Sequence, residues 1–264
     1  MSAEDHENGA IPNDPLRAAR GLPKQPQIKR FYVAASAETS SDGMHRVLLD
    51  GRPARTPRKT ELALPERALA DAVAAEWQAQ ATHIDVATMP LTRLVNTALD
   101  GVTGREDDVR ADIVKYAGSD LLCYRAEGPE ALVRRQAEAW DPILAWVGAE
   151  LGEDFVVQSG IMPVGQSPAT SRALDRLLRP FDAFALTALH VMTTLTGSAI
   201  LAFAVQRRRL DLGEAWAAAH IDEDWQIAVW GEDDEAAERR ARRFVEMQAA
   251  CRLLDMLSAR GSIA

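Results

Sequence analysis

The hydrophobic and polar positions divide the chain into a β-patterned first third and a helix-patterned remainder. Arg30-Phe31-Tyr32-Val33 and His45-Arg46-Val47-Leu48-Leu49 are short runs of β-favouring side chains. Asp50-Gly51 follows the second run, and an Asp-Gly pair between β-prone segments predicts a tight hairpin. Arg52-Pro53-Ala54-Arg55-Thr56-Pro57 would return along a sheet edge, because proline cannot donate to a ladder. Glu61-Leu62-Ala63-Leu64 is a fourth short strand.

The period then changes. Leu69, Val73 and Trp77 recur at four-residue spacing in a helix that begins at Pro65. Pro90 opens a second, with Leu91, Leu94, Val95 and Ala98 on its apolar face. Glu106, Asp107 and Asp108 begin a third, where acids meet the positive helix end. Pro129 starts a fourth that runs through Trp140. Asp141-Pro142 reads as a fresh cap and first turn, which predicts a break in the axis. Phe155-Val156-Val157 fits a strand or a loop, and Ser167-Pro168 caps another helix. Residues 180–259 predict three long helices. The second covers 212–230 and the last 233–259, with Ala237, Ala241, Phe244, Gln248, Cys251 and Leu254 along one stripe. The fold class is therefore α+β: a small N-terminal antiparallel β domain followed by a larger all-helical C-terminal domain. The predicted divisions are a flexible tail at 1–27, a β-rich domain with flanking helices at 28–100, and a helical domain at 101–264.

Residues 183–206 carry no formal charge and are long enough to span a bilayer. Thr187, His190, Thr193, Thr194, Thr196 and Ser198 would need polar partners in lipid, so a buried core helix is the expectation. The first 27 residues lack a hydrophobic run. Glu4, Asp5 and Glu7 stand where a mitochondrial presequence would be Arg-rich, so neither a secretory signal nor a mitochondrial presequence is expected.

Composition narrows the function. Hydrophobic residues at 47% and charged residues at 26% argue against a mostly disordered chain. A net charge of −9 argues against nucleic-acid binding, which needs a basic surface to displace counterions. Cys123 and Cys251 are the two cysteines, which excludes a disulfide scaffold and a cysteine-built zinc site and suits a reducing, intracellular home. The sequence has no GxxxxGK[ST], GxGxxG, GxSxG or HExxH pattern. His6, His45, His83, His190 and His220 are widely separated, none with a second His or Cys at metal-ligand spacing. No catalytic residue, metal site or cofactor is therefore assigned.

Most of the remaining charged groups have an ordinary structural role. Glu232, Asp233, Asp234 and Glu235 complement a helix dipole. Arg207, Arg208 and Arg209, and Arg239, Arg240, Arg242 and Arg243, read as solvated faces or partners for acids. Asp222, Glu223 and Asp224 are consecutive, so they point about 100° apart and do not converge on one ion. Glu223 is unusual because it shares a helical side with Trp216, Ala219, Ile227 and Trp230. It could pair with an Arg of a neighbouring helix, act as a recognition carboxylate in a partner surface, or serve as a catalytic acid with His220.

Taken in order, several stretches resemble one family, the ATP synthase F(1) assembly chaperones that hold the free α subunit (ATP12-type). They are Arg30-Phe-Tyr; Leu49-Asp-Gly-Arg-Pro-Ala-Arg-Thr-Pro57; Leu64-Pro with Glu76-Trp-Gln-Ala-Gln80; and Met89-Pro-Leu-Thr-Arg-Leu94. Then come Ser119-Asp-Leu-Leu-Cys-Tyr-Arg-Ala-Glu127, Gln136 with Trp140-Asp-Pro142, Thr196-Gly-Ser198, and Asp222-Glu-Asp-Trp-Gln226 with Trp230-Gly-Glu232. The resemblance implies a chaperone without catalysis. It would bind the unassembled α subunit, prevent its aggregation and yield it to the β subunit. It implies a monomer when free, with no membrane insertion, in the bacterial cytoplasm for an alphaproteobacterial member and in the mitochondrial matrix for eukaryotic relatives. The family weights an acidic residue of the C-terminal domain, and Glu223 is the best match. The implied partner surface is Glu223 with Asp222, Asp224, Trp225, Gln226 and Trp230.

Overall fold

Asp50 and Gly51 take φ of 47° and 75°, the left-handed pair of a tight hairpin, and reverse the chain between β2 (His45–Leu49) and β3 (Arg52–Pro53). β1 (Ala35–Thr39) lies antiparallel to β2, with Ala35 opposite Leu49, and β4 (Ala63–Leu64) also pairs with β2. The computed structural model describes residues 28–160, 162 and 164–258. The predicted tail at 1–27 lies outside the described residues.

The first strand starts at Ala35, not at Arg30 as the β-favouring run predicts. Side chains decide this. The Arg30 guanidinium donates to the carbonyls of Tyr32 at 3.0 Å and Val33 at 2.6 Å, and the Asp50 carboxylate takes the N–H groups of Val33 and Ala34. A segment whose backbone groups are already bonded to side chains does not need a strand partner.

α1 (Arg67–Gln78) begins two positions after the expected Pro65 and buries Leu69, Ala70, Val73 and Ala74 beneath the sheet. α2 (Pro90–Thr97) opens at its proline as expected and runs into a wider turn over Ala98–Val102. α3 (Glu106–Ala117) carries its three acids in the first turn.

α4 (Glu130–Leu151) corrects the predicted break, because it passes unbroken through Pro142. Leu132, Gln136, Trp140, Ile143 and Val147 form one buried stripe, and keeping it in register requires a continuous axis. Pro142 is exposed and the carbonyl it orphans belongs to exposed Glu138, so water can satisfy that group. Residues 155–157 are loop. β5 (Tyr124–Arg125) and β6 (Gln158–Ser159) form a small parallel pair within the helical part. α5 (Pro168–Leu178) is capped by Ser167, whose hydroxyl accepts from Thr170 N–H at 3.0 Å.

The three long helices expected after residue 180 are five. α6 (Ala183–Thr196) ends where Gly197 turns left-handed at φ 69°, and Ser198 caps α7 (Ala199–Gln206). The apolar stretch 183–206 is thus two core helices. Among the described residues no helix is long and apolar enough to cross a membrane. His220 separates α8 (Leu212–Ala219) from α9 (Ile221–Trp230). α10 (Asp234–Ser258) buries Met247, Ala249, Ala250 and Leu253, whereas Ala241 and Gln248 of the predicted stripe face solvent. The buried face is one step round the helix from the expected one, because α6 and α2 supply the packing surface. His190 has its Nε2 2.7 Å from an Asp112 carboxylate oxygen.

One buried cluster runs from Tyr32 and Val47 of the sheet through α6 to Leu253 of α10. A second gathers Trp140, Ile143, Val147, Ile200, Phe203 and Ile221 beneath the α8–α9 corner.

Asp120 joins these parts at the start of α7. Its fully buried carboxylate accepts the N–H groups of Leu122 and Ile200, both at 3.1 Å. Burial outweighs those donors and pushes its pKa up to about 6. The native state therefore holds a proton that the unfolded chain has released, and stability falls as pH rises through 6. Between pH 7.5 and 5 this group is expected to add about 1 kcal/mol of stability. Burial holds His220 below its usual pKa, which acts in the opposite direction. Urea unfolding of the native chain and Asp120→Asn at both pH values isolates the Asp120 contribution as the difference in their slopes.

Candidate functional site

The corner formed by α8, α9 and the start of α10 carries every residue of the expected partner surface. Two buried side chains of α4 hold it in place. The Trp140 indole N–H donates to the Ala218 carbonyl at 2.8 Å, and Gln136 Nε2 donates to Asp222 Oδ1 at 2.6 Å. Gln136 also accepts the Ala126 N–H at 2.9 Å, so this one amide ties the β5 segment, α4 and α9 together.

The break at His220 changes the geometry expected for Glu223. Trp216 and Ala219 belong to α8, so they do not continue the α9 stripe. The Glu223 side chain is 56% exposed and therefore carries no burial penalty of the kind an apolar stripe would impose. The Arg partner considered for Glu223 is found one residue on: Arg240 of α10 donates to Asp224, and both side chains are partly buried. Arg239 and Arg242 pair with Glu235 and Glu238 along α10, so this part of the basic patch serves as partners for acids.

The six expected surface residues thus separate into two groups. Asp222 bonds Gln136, Asp224 bonds Arg240, and Trp225 packs against the second buried cluster. Glu223, Gln226 and Trp230 face outward together with Ile227. Trp230 is 85% exposed at the last turn of α9, before Gly231 leaves the helix at φ 90°. Glu223, Gln226, Ile227 and Trp230 form one wall of a cleft of about 430 Å³. Ala236, Ala237, Arg239, Arg240 and Arg243 of α10 form the other. The Arg240 contribution was not legible, because nothing local in the sequence pairs it with Asp224.

The His220–Glu223 pair is geometrically loose, with Nε2 and Oε2 3.8 Å apart. His220 is buried, and its Nδ1–H donates to the Trp216 carbonyl at 2.7 Å. The neutral ring that burial favours then presents an unprotonated Nε2 to a carboxylate, so two acceptors face each other with no proton between them. No group of metal-ligating side chains occurs among the described residues.

The ion pair of Asp224 gives a contrast with its exposed neighbour. Asp224→Lys places a second cation against Arg240, and a loss of about 1–2 kcal/mol is expected. Glu223→Lys is expected to stay within about 0.5 kcal/mol of the native chain. Thermal unfolding of the two variants checks the difference.

Comparison with known proteins places the chain among chaperones. The family model described as ATP12 chaperone protein matches residues 29–148. The chain is 44% identical to Atp12 from Paracoccus denitrificans, with a TM-score of 0.81 over 87% of this chain and 98% of that structure. A Lys-for-Asp mutant of the same Paracoccus protein matches equally well in shape, at a TM-score of 0.81. A candidate chaperone structure from Agrobacterium tumefaciens is 46% identical, with a TM-score of 0.85 over 94% of this chain and 92% of that one. Mitochondrial atp12 of Schizosaccharomyces pombe is 24% identical over 84% of this chain and 80% of its own length. The chain belongs to the ATP12 chaperone family, whose role is assembly.

Proposed function

We propose that the protein binds the unassembled α subunit of the ATP synthase F(1) head, keeps it from aggregating, and releases it when the β subunit takes its place. Family membership supports the assembly role. The observation that carries the site is Trp230, a large indole 85% exposed at the mouth of a cleft beside Glu223. Tryptophan at the centre of a contact surface commonly dominates binding energy. Glu223, Gln226, Ile227 and Trp230 make the contact, while Asp222, Asp224 and Trp225 hold α9 in position for it.

Binding of this kind needs no chemical step. A free subunit of a hetero-oligomer exposes an apolar interface, and covering that interface suppresses aggregation. Release follows if the β subunit binds the same face more tightly, since about 1.4 kcal/mol gives a tenfold preference. The bacterial relatives fit a chaperone of the bacterial cytoplasm.

The test is displacement. Purified β subunit added to a preformed complex with α is expected to free this protein without nucleotide hydrolysis. A complex that persists in excess β would contradict the exchange.

A further inference from the structure

A second concave surface lies at the other end of the chain, between the β2–β3 hairpin and the end of α1. It encloses about 630 Å³. Every residue lining it comes from three stretches that carry the family resemblance: Arg30-Phe-Tyr, residues 49–57 and residues 76–80. All three lie inside residues 29–148, the part that the chaperone family model matches. None of the lining residues belongs to the α9–α10 cleft.

The fold accounts for some of these residues and not for others. Arg30 is taken up by backbone carbonyls, among them those of Tyr32 and Val33. Asp50 is taken up by the N–H groups of Val33 and Ala34, which hold its carboxyl below the usual range. Tyr32 is buried, and its hydroxyl donates to the Trp77 carbonyl at 2.6 Å. Phe31, Arg52 and Pro53 have no such work. Phe31 is 68% exposed, and Arg52 and Pro53 are exposed on the edge strand.

The aromatic rings form a stepped wall. Phe31 meets Tyr32 edge-on with centroids 5.3 Å apart, and Tyr32 meets Trp77 at 5.7 Å. Leu49 and Pro53 add apolar surface to the lining. Among the pocket's charges, Arg55 is paired with Glu61 at 2.8 Å and Asp50 is bonded to backbone. The Arg52 side chain makes no hydrogen bond or ion pair among the described residues, and its charge acts on the carboxylate of Asp50. The charge left open at the rim is therefore a cation, above a wall of rings that can extend an edge-to-face stack.

We propose that this pocket is a second docking site, which takes an aromatic side chain of an extended partner segment with a carboxylate at a neighbouring residue. The ring enters between Phe31 and Pro53, and the carboxylate pairs with Arg52. The inference does not depend on which partner occupies the α9–α10 cleft.

The test is a nuclear magnetic resonance titration of the full ¹⁵N-labelled chain with two blocked peptides, Gly-Asp-Phe-Gly and Gly-Lys-Phe-Gly. A single pocket of this kind is expected to bind the acidic peptide at about millimolar Kd. The Trp77 indole N–H and the backbone of Phe31, Leu49 and Arg52 should shift and saturate together. The lysine peptide should bind at least several-fold more weakly. The double variant Phe31→Ala, Arg52→Glu should lose the saturable shifts while its remaining spectrum stays native. Shifts that do not saturate, or equal binding of both peptides, would overturn the proposal. So would shifts that survive in the double variant.

Discussion

Trp140→Ala is expected to lower the unfolding free energy by about 3–5 kcal/mol, the largest single-residue loss in the molecule. Trp140 has no exposed surface, and its indole fills the second buried cluster between α4 and α7. Truncation leaves a cavity where close packing had been, and it also orphans the Ala218 carbonyl that the indole N–H satisfies at 2.8 Å. The Arg125 guanidinium, 5.1 Å from the ring centroid, loses its aromatic partner as well. The melting temperature should fall by about 10 °C. Trp140→Phe keeps most of the volume but not the donor, and its loss should be about half as large. Because Ala218 lies just before the α8–α9 break, both variants should also loosen the candidate surface. Urea unfolding gives the stabilities. A cost below about 1 kcal/mol for the alanine variant would contradict the packing described.

The largest functional effect is expected from Trp230→Ala combined with Glu223→Lys. Both side chains are exposed, so unfolding should change by no more than about 0.5 kcal/mol. Capture of the α subunit should weaken at least about 30-fold, the consequence of removing an anchor worth about 2 kcal/mol. Dilution of the isolated complex, followed by quantifying retained α, measures this. The two effects separate binding from folding. Trp140 and Asp224 act through stability, whereas Glu223 and Trp230 act at the surface. A double variant that captured α normally would mean that the contact lies elsewhere.

Local chemistry made parts of the fold legible. Asp50-Gly51 dictated its own turn, the proline of α2 and the acids of α3 marked their helix starts, and Ser167 marked a cap. What the sequence pattern missed was decided by distant residues. Arg30-Phe31-Tyr32-Val33 has strand composition, but Asp50, seventeen positions away, claims the backbone donors. Pro142 has the form of a helix break, but the burial of Trp140 and Val147 on one face keeps the axis continuous. His220 carries no breaker signal; at the turn its ring lies against Trp216, centroids 4.0 Å apart.

The candidate surface was legible as a segment and not as a geometry. The sequence singles out residues 222–226 and Trp230 as the candidate surface, yet the division of these residues into inward and outward side chains depends on Gln136 and Arg240, which are remote in sequence. The pocket at Phe31 and Arg52 stayed hidden for the same reason, since three separate stretches had to be folded together to make it.

Co-expression with the α subunit alone decides whether this protein captures α. Size exclusion of the soluble fraction should give a defined complex containing both chains, with α aggregating when this protein is omitted. Separate elution, with α equally insoluble in both cases, would contradict the proposed partner.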